Sequence, residues 1–260
     1  MKSEKSGDNP ATTHDTVDAI VNTAVRSEFP LRRTFIQQKG IEPSLPGPPL
    51  AGLVTAGDRV GLLLYFLALT KASQEPWDVS LHSAVWARAL GIPEPNTTVA
   101  RTRVSKSWGR LVARKLVARS RHKRLARFTL LCEDGSGDPY ERPSSQYVKV
   151  PHALWIAGPE PSNRWFEILS LPELAFLMIA LSNLDAFPLP AERGPDYYRV
   201  SADTLLRGQR GLRERGLLKV ERNIIKAPLA PEGVTAENLY TLQPPFGPHG
   251  KKSKAASRPR

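Results

Sequence analysis

The spacing of apolar residues in the first half of the chain predicts three successive helices. Asp58 precedes VGLLLYFLALTKAS (60–73), which is apolar almost all round and therefore predicts a buried helix. SLHSAVWARALGI (80–92) predicts a second helix capped by Ser80, and VARTRVSKSWGRLVARK (99–115) predicts a third. The apolar residues of the third helix fall on one side, so its opposite side is expected to face outward.

A change of hydrophobic period predicts where this third helix ends. In RLVARKLVARSRHKRLARF (110–128), apolar residues up to Val112 follow the helical repeat, whereas apolar and basic residues alternate from Val117 onward. One continuous basic amphipathic helix would suit a membrane surface or a helix-binding partner, but it would keep a single apolar stripe. The pattern instead predicts a helix end near Leu116, followed by a hairpin of LVARSR and LARFTLLCE.

The same order of elements returns in the second half of the chain. LSLPELAFLMIALSNL, PAERGPDYY and ADTLLRGQRGLRERG predict three helices, and LLKVERN and NLYTLQPPF predict two strands joined by a Pro-rich loop. Ser201 is a suitable N-cap for the third helix, and Gly216 stands where a helix ends in the left-handed conformation. A helix, a helix-turn-helix and a two-stranded wing form the layout of a winged helix, so the chain reads as an architectural repeat.

The expected fold class is mainly α with small β-hairpin wings (α+β), in the form of two tandem winged helix-turn-helix domains. IEPSLPGPPLAG is rich in Pro and Gly, which predicts a flexible arm or linker, while the helical spacing of Val17, Ile20, Val21 and Val25 leaves a short helix open within DTVDAIVNTAVRSEF. The predicted division is a flexible N-terminal arm over 1–55, a first winged-helix domain over 56–133, a linker with a candidate edge strand over 134–163, a second winged-helix domain over 164–246, and a basic disordered tail over 247–260.

The positive charge of the chain is concentrated in two places. The net charge is +12, and residues 95–132 contain eleven Lys or Arg and no acid, while the tail KKSKAASRPR carries five more. Such blocks are normally held near a polyanion, which favours nucleic acid first and anionic lipid second. The expected partner is double-stranded DNA, with RNA as an alternative because a basic hairpin can grip either backbone.

The remaining composition indicates an intracellular protein without a membrane partner. Cys132 is the only cysteine, so no disulfide framework is expected. The N-terminus has no apolar run after its positive charges, and the longest apolar runs are too short to cross a bilayer, which takes about 20 residues. These features predict a cytoplasmic, nucleoid-associated protein.

The outward side of the third helix and the hairpin supply the candidate DNA contacts of the first domain. Arg103 and Lys106 lie near the helix start and suit base reading, whereas Arg110 and Arg114 lie deeper and are expected to touch phosphates. A merely solvated face is the alternative, and the lack of acids weighs against it. The predicted contacts are Thr102, Arg103, Lys106, Arg110, Arg114, Arg119, Arg121, His122, Lys123, Arg124 and Arg127.

The second domain has a face of mixed charge. Its outward residues are Ser201, Asp203, Thr204, Arg207 and Arg210, and we include them among the candidate DNA contacts. Homodimerisation or docking of a protein partner is an equally weighted alternative for this domain. The basic tail is either a phosphate-binding arm or a plain solvated terminus.

Motifs for enzyme chemistry are missing from the sequence. It contains no phosphate loop, no dinucleotide-binding glycine pattern, no nucleophile elbow and no metal-ligand spacing. We therefore expect no catalytic residues, no metal and no cofactor.

The second half resembles a known group of proteins. LSLPELAFLMIALSNLDAFPLP, DYYRVSADTLLRGQRGLRERGLLKVE and NLYTLQPPFGP resemble tandem winged-helix proteins from actinobacteria and their plasmids and phages, over roughly residues 146–248. In that group the segment matching VSADTLLRG starts the recognition helix, which maps to Ser201, Asp203, Thr204 and Arg207. Gln209 departs from the aliphatic residue expected there. The resemblance implies the fold and DNA binding.

These observations together predict a sequence-preferring DNA-binding protein that regulates transcription. One alternative is a plasmid or phage replication initiator that binds repeated origin sites. Another is an interaction protein whose C-terminal unit recruits a partner.

Overall fold

Three small antiparallel sheets and eleven helices make up the described part of the chain. The computed structural model describes residues 9–37, 47–183, 186–189 and 194–247. This mixture of helices with small antiparallel sheets confirms the predicted α+β class. The predicted basic tail lies outside the described residues, apart from Gly247.

The N-terminal segment belongs to the folded core, so the prediction of a flexible arm over 1–55 is wrong for its described residues. They form α1 (Thr13–Val21), β1 (Glu28–Arg32), α2 (Arg33–Ile36) and α3 (Pro49–Thr55). Its buried apolar side chains include Val17, Ile20, Phe29, Leu31, Phe35, Ile36, Leu50 and Leu53. Pro and Gly content misled the prediction, because these short elements gain stability from burial against distant residues rather than from local propensity.

The first repeat unit follows the predicted order. After α4 (Arg59–Lys71) come β2 (Asp78–Val79), α5 (Ser83–Ala89), α6 (Thr98–Ala113), β3 (Val117–His122) and β4 (Leu125–Leu130). Ten of the thirteen residues of α4 are buried, which confirms the predicted buried helix. The three strands form one antiparallel sheet in the order β2-β4-β3. The second helix is capped by His82 rather than by Ser80.

The segment 134–163 is packed, in contrast to the predicted linker. It contains β5 (Tyr147–Pro151), which pairs antiparallel with β1, and α7 (Ala153–Ile156). Trp155 is fully buried, and its indole N–H donates to the hydroxyl of Thr70 on α4 at 3.1 Å. Within this segment, residues 147–151 form β5 in a two-stranded sheet with β1. The linker prediction failed because burial of Val148, Val150 and Trp155 outweighs the local abundance of turn residues.

The second unit repeats the order of the first. After α8 (Trp165–Ile168) come α9 (Leu171–Ser182), β6 (Phe187–Pro188), α10 (Gly194–Tyr198), α11 (Ala202–Glu214), β7 (Leu218–Lys226) and β8 (Val234–Leu242). Its sheet order, β6-β8-β7, matches that of the first unit. Strands β7 and β8 extend into the segment predicted as a Pro-rich loop, which shrinks to residues 227–233. Backbone hydrogen bonds pair β7 with β8 from Leu218 to Lys226, and the polar side chains of this segment gave no local sign of that pairing.

Two adjacent residues at the start of α4 hold the first unit together and join it to the second. Asp58 caps α4 by accepting from the Gly61 N–H, and it also accepts two hydrogen bonds of 2.6 Å from Arg110 near the end of α6. Arg59 donates to the backbone carbonyls of Phe166, Glu167 and Leu169, which lie at the end of α8 and just before α9. The buried residues of both units belong to one hydrophobic cluster. The units are therefore joined by packing as well as by the chain.

A second acid and arginine repeat this arrangement in the other unit. Glu173 completes a capping box with Ser170 at the start of α9, and it accepts a 2.6 Å hydrogen bond from Arg215 at the end of α11. Close packing supports this contact, because a side chain at Gly208 of α11 would collide with Pro172 and Phe176 of α9. In each unit, a buried acid at the start of one helix holds an arginine at the end of another.

The pKa values of both acids reflect these contacts. Burial by itself raises the pKa of the Asp58 carboxyl, but hydrogen bonds from Arg110 and the Gly61 N–H outweigh burial and hold it below its ordinary value of 3.8. Burial by itself also raises the pKa of Glu173, but hydrogen bonds from Arg215 and Ser170 outweigh burial and hold this pKa below its ordinary value of 4.5. Both acids are therefore ionised partners in the folded protein at neutral pH.

Removing Arg110 should destabilise the protein strongly. The Arg110→Met substitution leaves the Asp58 carboxylate, whose side chain is 3% exposed, without its cationic partner. We expect a loss of about 3 kcal/mol in the free energy of unfolding, measured by urea denaturation followed by circular dichroism. Lys106→Met on the exposed side of the same helix is the matched control and should change stability by no more than about 0.5 kcal/mol. Equal effects of the two substitutions would contradict the role of the ion pair.

Lowering the pH should remove the difference in the free energy of unfolding between the parent protein and the Asp58→Asn variant. Because folding lowers the pKa of Asp58, its contribution is fully present above the unfolded value of 3.8 and is lost as pH falls through the folded pKa. At pH 7 the variant should be less stable by about 1.5 to 3 kcal/mol, since Asn keeps the cap but loses the charge-assisted hydrogen bonds. The gap should close as the pH is lowered below 3.8. Asp138→Asn, at an exposed side chain, is the control and should be as stable as the parent protein at pH 7. If the free energies of unfolding of the parent and Asp58→Asn fell in parallel with pH, the contribution of the ionised Asp58 would be disproved.

Candidate nucleic-acid interface

Helix α6 and the β3–β4 hairpin are separate elements, as the change of hydrophobic period predicts. The Thr97 hydroxyl caps the start of α6 by accepting from the Ala100 N–H, and the helix gives way to β3 through Lys115, whose φ of +56° is left-handed. The alternative of one continuous basic helix over 110–128 is therefore excluded.

Aromatic packing fixes α6 against its neighbours. Trp108 on α6 stacks on Phe128 of β4 with ring centroids 3.9 Å apart, and it meets Trp86 of α5 edge-on at 5.5 Å. Val104 and Leu111 on the same side of the helix are buried. Because these side chains anchor one side of α6, its opposite side is held toward solvent, as the helical repeat predicts.

Eight of the predicted contact residues are exposed and have side chains that make no hydrogen bond or ion pair with described residues. On α6 they lie on the side opposite Trp108, and on the hairpin they extend to the two-residue turn at Lys123, where φ is +53°. No acid occurs between residues 95 and 132 to neutralise them. The eight residues are Thr102, Arg103, Lys106, Arg119, Arg121, His122, Lys123 and Arg124, and we call them the basic face.

The helix and the hairpin present parts of this face to the same space. Thr102 on α6 and Arg119 and Arg124 on the hairpin line one cleft of about 490 Å³. Residues that are seventeen or more positions apart in the sequence therefore lie around a single concave surface. A polyanion lying across this surface would meet helix and hairpin together.

Three predicted contact residues have a different role from the expected one, because protein groups occupy their guanidinium groups. Arg110 binds Asp58 and also donates to the Ser107 hydroxyl at 2.9 Å, and hydrogen bonding to Asp58 raises the pKa of Arg110. Arg114 donates to the carbonyls of Arg110 and Gly52, and Arg127 pairs with Asp78 at 3.1 Å. The partners of Arg110, Arg114 and Arg127 lie outside the local sequence window or on the backbone, where helical spacing could not reveal them.

In the second unit, the predicted contact residues are paired among themselves. Ser201 caps α11 and accepts from the Thr204 N–H. Asp203 pairs with Arg207, and Glu214 pairs with Arg210, each at 3.0 Å and four residues apart on an exposed helix face. Such pairs contribute only about 0.2 to 0.5 kcal/mol each to helix stability. They nevertheless leave this face close to neutral, in contrast to the basic face.

The prediction from sequence missed Arg101. This half-buried residue of α6 lines the same cleft as Thr102, and its Nε donates to the Thr97 carbonyl at 3.4 Å. The signal available was its spacing of seven residues from Trp108, which places it on the side of α6 that faces α5 and the hairpin. Its charge was counted in the basic block but its location was not foreseen.

Metal clusters and membrane-spanning helices are both absent from the described ranges. No group of three or more His, Cys, Asp or Glu side chains within them is placed to hold a metal ion. None of the helices in those ranges is both long enough and apolar enough to cross a membrane.

Comparison with known proteins adds no relative from which a role could be transferred. No protein-family model, no curated protein and no solved structure matches this chain.

Proposed function

We propose that the chain is a non-enzymatic, sequence-preferring double-stranded DNA-binding protein that regulates transcription and acts at the nucleoid. In this proposal, residues 56–133 and 164–246 are two winged helix-turn-helix domains, related to the actinobacterial tandem proteins that the second half resembles. The first domain binds DNA, and the second contacts protein.

The repeated topology supports the fold assignment. Each unit has a helix, a short strand, two further helices and a hairpin, and in each the short strand pairs with the second strand of the hairpin. A winged helix has this layout, with the last helix before the hairpin available for the major groove. Helix α6 and helix α11 occupy that position in their units.

The observation that carries the functional proposal is the basic face. Its arginines and lysines have no acidic partners among the described residues, although the rest of the molecule pairs many of its arginines with buried or exposed acids. Unpaired cations repel one another, so their concentration in one place costs stability unless a polyanion neutralises them. DNA phosphates would do so, and release of counterions from DNA would favour binding.

The two parts of the basic face suit different tasks. Arg103 and Lys106 project from the first three turns of α6, where a recognition helix contacts base edges, and arginine can form two hydrogen bonds with guanine. The hairpin residues Arg121, Lys123 and Arg124 suit phosphates or a narrow minor groove. We therefore assign sequence preference to the helix and most of the non-specific affinity to the hairpin.

A separate observation favours a protein-binding role for the second domain. Its exposed apolar side chains include Leu206 on α11, Ile224 on β7 and Leu229 in the hairpin turn, which are 60%, 67% and 102% exposed. Together with the paired charges of α11, they suit contact with protein better than contact with phosphate. The proposed partner is a second copy of the chain or another protein.

Neutralising the hairpin should weaken DNA binding and flatten its dependence on salt. We expect Arg121→Ala/Lys123→Ala/Arg124→Ala to reduce the log-log salt slope by about 0.9 for each phosphate that the hairpin no longer neutralises, measured by fluorescence anisotropy with a labelled duplex between about 50 and 200 mM salt. Arg207→Ala/Arg210→Ala is the matched control, because those arginines are paired with acids, and it should leave the slope unchanged. An unaltered slope in the hairpin variant would rule out phosphate contacts by the hairpin.

Removing Arg103 should relax the preference for one base pair. Sites are first selected from random duplex DNA with the parent protein, and single-base variants of the best site are then titrated. We expect Arg103→Ala to lose about 1 to 3 kcal/mol of binding on the best site and to lose little on the duplex altered at the contacted base pair. A uniform loss on every duplex would instead make Arg103 a phosphate contact.

A further inference from the structure

The cleft between α5, α6 and the hairpin has the dimensions of a small-molecule site. Its volume is about 490 Å³, and pockets that hold small ligands or cofactors span about 300 to 1,000 Å³. Aromatic side chains of Trp86, Trp108 and Phe128 line it, and the stacking of Trp108 on Phe128 gives them a fixed arrangement. Because these rings are buried, the apolar surface that a ligand would meet comes mainly from the partly exposed Leu81, Leu125 and Ala126, and it suits a flat, apolar ring.

The charges around the cleft are of one sign. Arg101, Arg119 and Arg124 line it, and none of its described lining residues is Asp or Glu. The side chains of Arg119 and Arg124 make no hydrogen bond or ion pair within the described part of the protein. Since arginine presents several donors in a plane, these residues suit a carboxylate, sulfonate or phosphate.

Two buried donors in the lining lack partners. Trp86 and Trp108 are 1% and 2% exposed, and the indole N–H of each has no hydrogen-bond acceptor among the described residues. Buried donors are nearly always bonded in folded proteins, and leaving one unsatisfied costs about 1 to 3 kcal/mol. Because both indole nitrogens are inaccessible to solvent, an acceptor on a bound molecule would remove this cost only after a small shift of the indole rings.

We propose that this cleft binds a small planar aromatic anion, with its ring against the apolar lining and its charged group against Arg101 and Arg119. The ligand also acts as an effector, because Thr102, Arg119 and Arg124 belong to the basic face as well as to the cleft. An anion held there occupies groups that would otherwise contact DNA, so ligand and DNA compete. This competition rests on the proposed function, whereas binding of the ligand does not.

Calorimetry with the full-length protein and 2-naphthoate tests the site without DNA. We expect saturable binding that is at least tenfold weaker in Arg101→Gln and in Arg119→Gln. Arg103→Gln and Arg121→Gln are the matched controls, since each removes an arginine two positions along the same element that does not line the cleft, and they should stay within about twofold of the parent, or roughly 0.4 kcal/mol. The neutral analogue 2-naphthamide should bind at least tenfold more weakly than 2-naphthoate.

Filling the cleft provides a test that leaves its charges in place. Ser105 lines the cleft on the exposed side of α6, so Ser105→Trp should abolish 2-naphthoate binding, while Ala113→Trp, at an exposed position of the same helix away from the cleft, should not. Circular dichroism checks that both variants are folded. Equal binding by Ser105→Trp and Ala113→Trp, equal weakening in the lining and control arginine variants, or equal affinity for naphthamide would each overturn the site.

A DNA-binding measurement in the presence of 2-naphthoate distinguishes failure of the ligand site from failure of the proposed function. With a labelled duplex, 2-naphthoate should raise the apparent Kd for DNA of the parent protein and have little effect on Arg101→Gln. Calorimetric binding in a protein that does not bind DNA would support the ligand site and reject the proposed function. Binding of both ligands without competition would overturn the effector role.

Discussion

The dipeptide Asp58–Arg59 is the contact on which the arrangement of the two units depends. Asp58 caps α4 and holds the end of α6, while Arg59 satisfies carbonyls at the end of α8 and before α9. Burial lowers the pKa of Arg59, and the nearby charge of Glu173 acts in the opposite direction. Buried charges are stable only when all of their hydrogen-bond partners are in place. These bonds therefore fix α4 relative to the end of α6 and to the segment between α8 and α9.

This contact also divides the basic residues of α6 into those that are paired within the protein and those that are not. Arg110 lies near the end of the helix and is used internally, so its charge is already balanced by Asp58. Arg103 and Lys106 lie further toward the helix start, where no acid is available. The internal ion pair and the packing of Trp108 together orient α6, and its outward side keeps unpaired positive charge. In the second unit, Glu173 holds Arg215 in the same way, but the outward half of α11 carries acids of its own.

The elements that the sequence predicted well are those whose signal is local. The change of period near Leu116 located the end of α6, and the apolar run after Asp58 located α4. Packing of α1 and β5 could not be predicted in this way, because it depends on partners such as Arg164 for Asp18 and β1 for β5, more than a hundred residues apart. The same reason hid the partner of Arg110, whereas the exposed position of Arg103 follows from helical spacing alone.

The position of the cleft relates the internal ion pairs to the proposed competition between ligand and DNA. Asp58 holds the last turn of α6, while Val104 and Trp108, which also line the cleft, pack its middle turns. A ligand in the cleft would contact α6 at its lining residues between Thr98 and Trp108 and leave the Asp58–Arg110 pair in place. Ligand and DNA would then compete for the same surface side chains, Thr102, Arg119 and Arg124. A movement of one unit against the other is not needed, and the single hydrophobic cluster resists it.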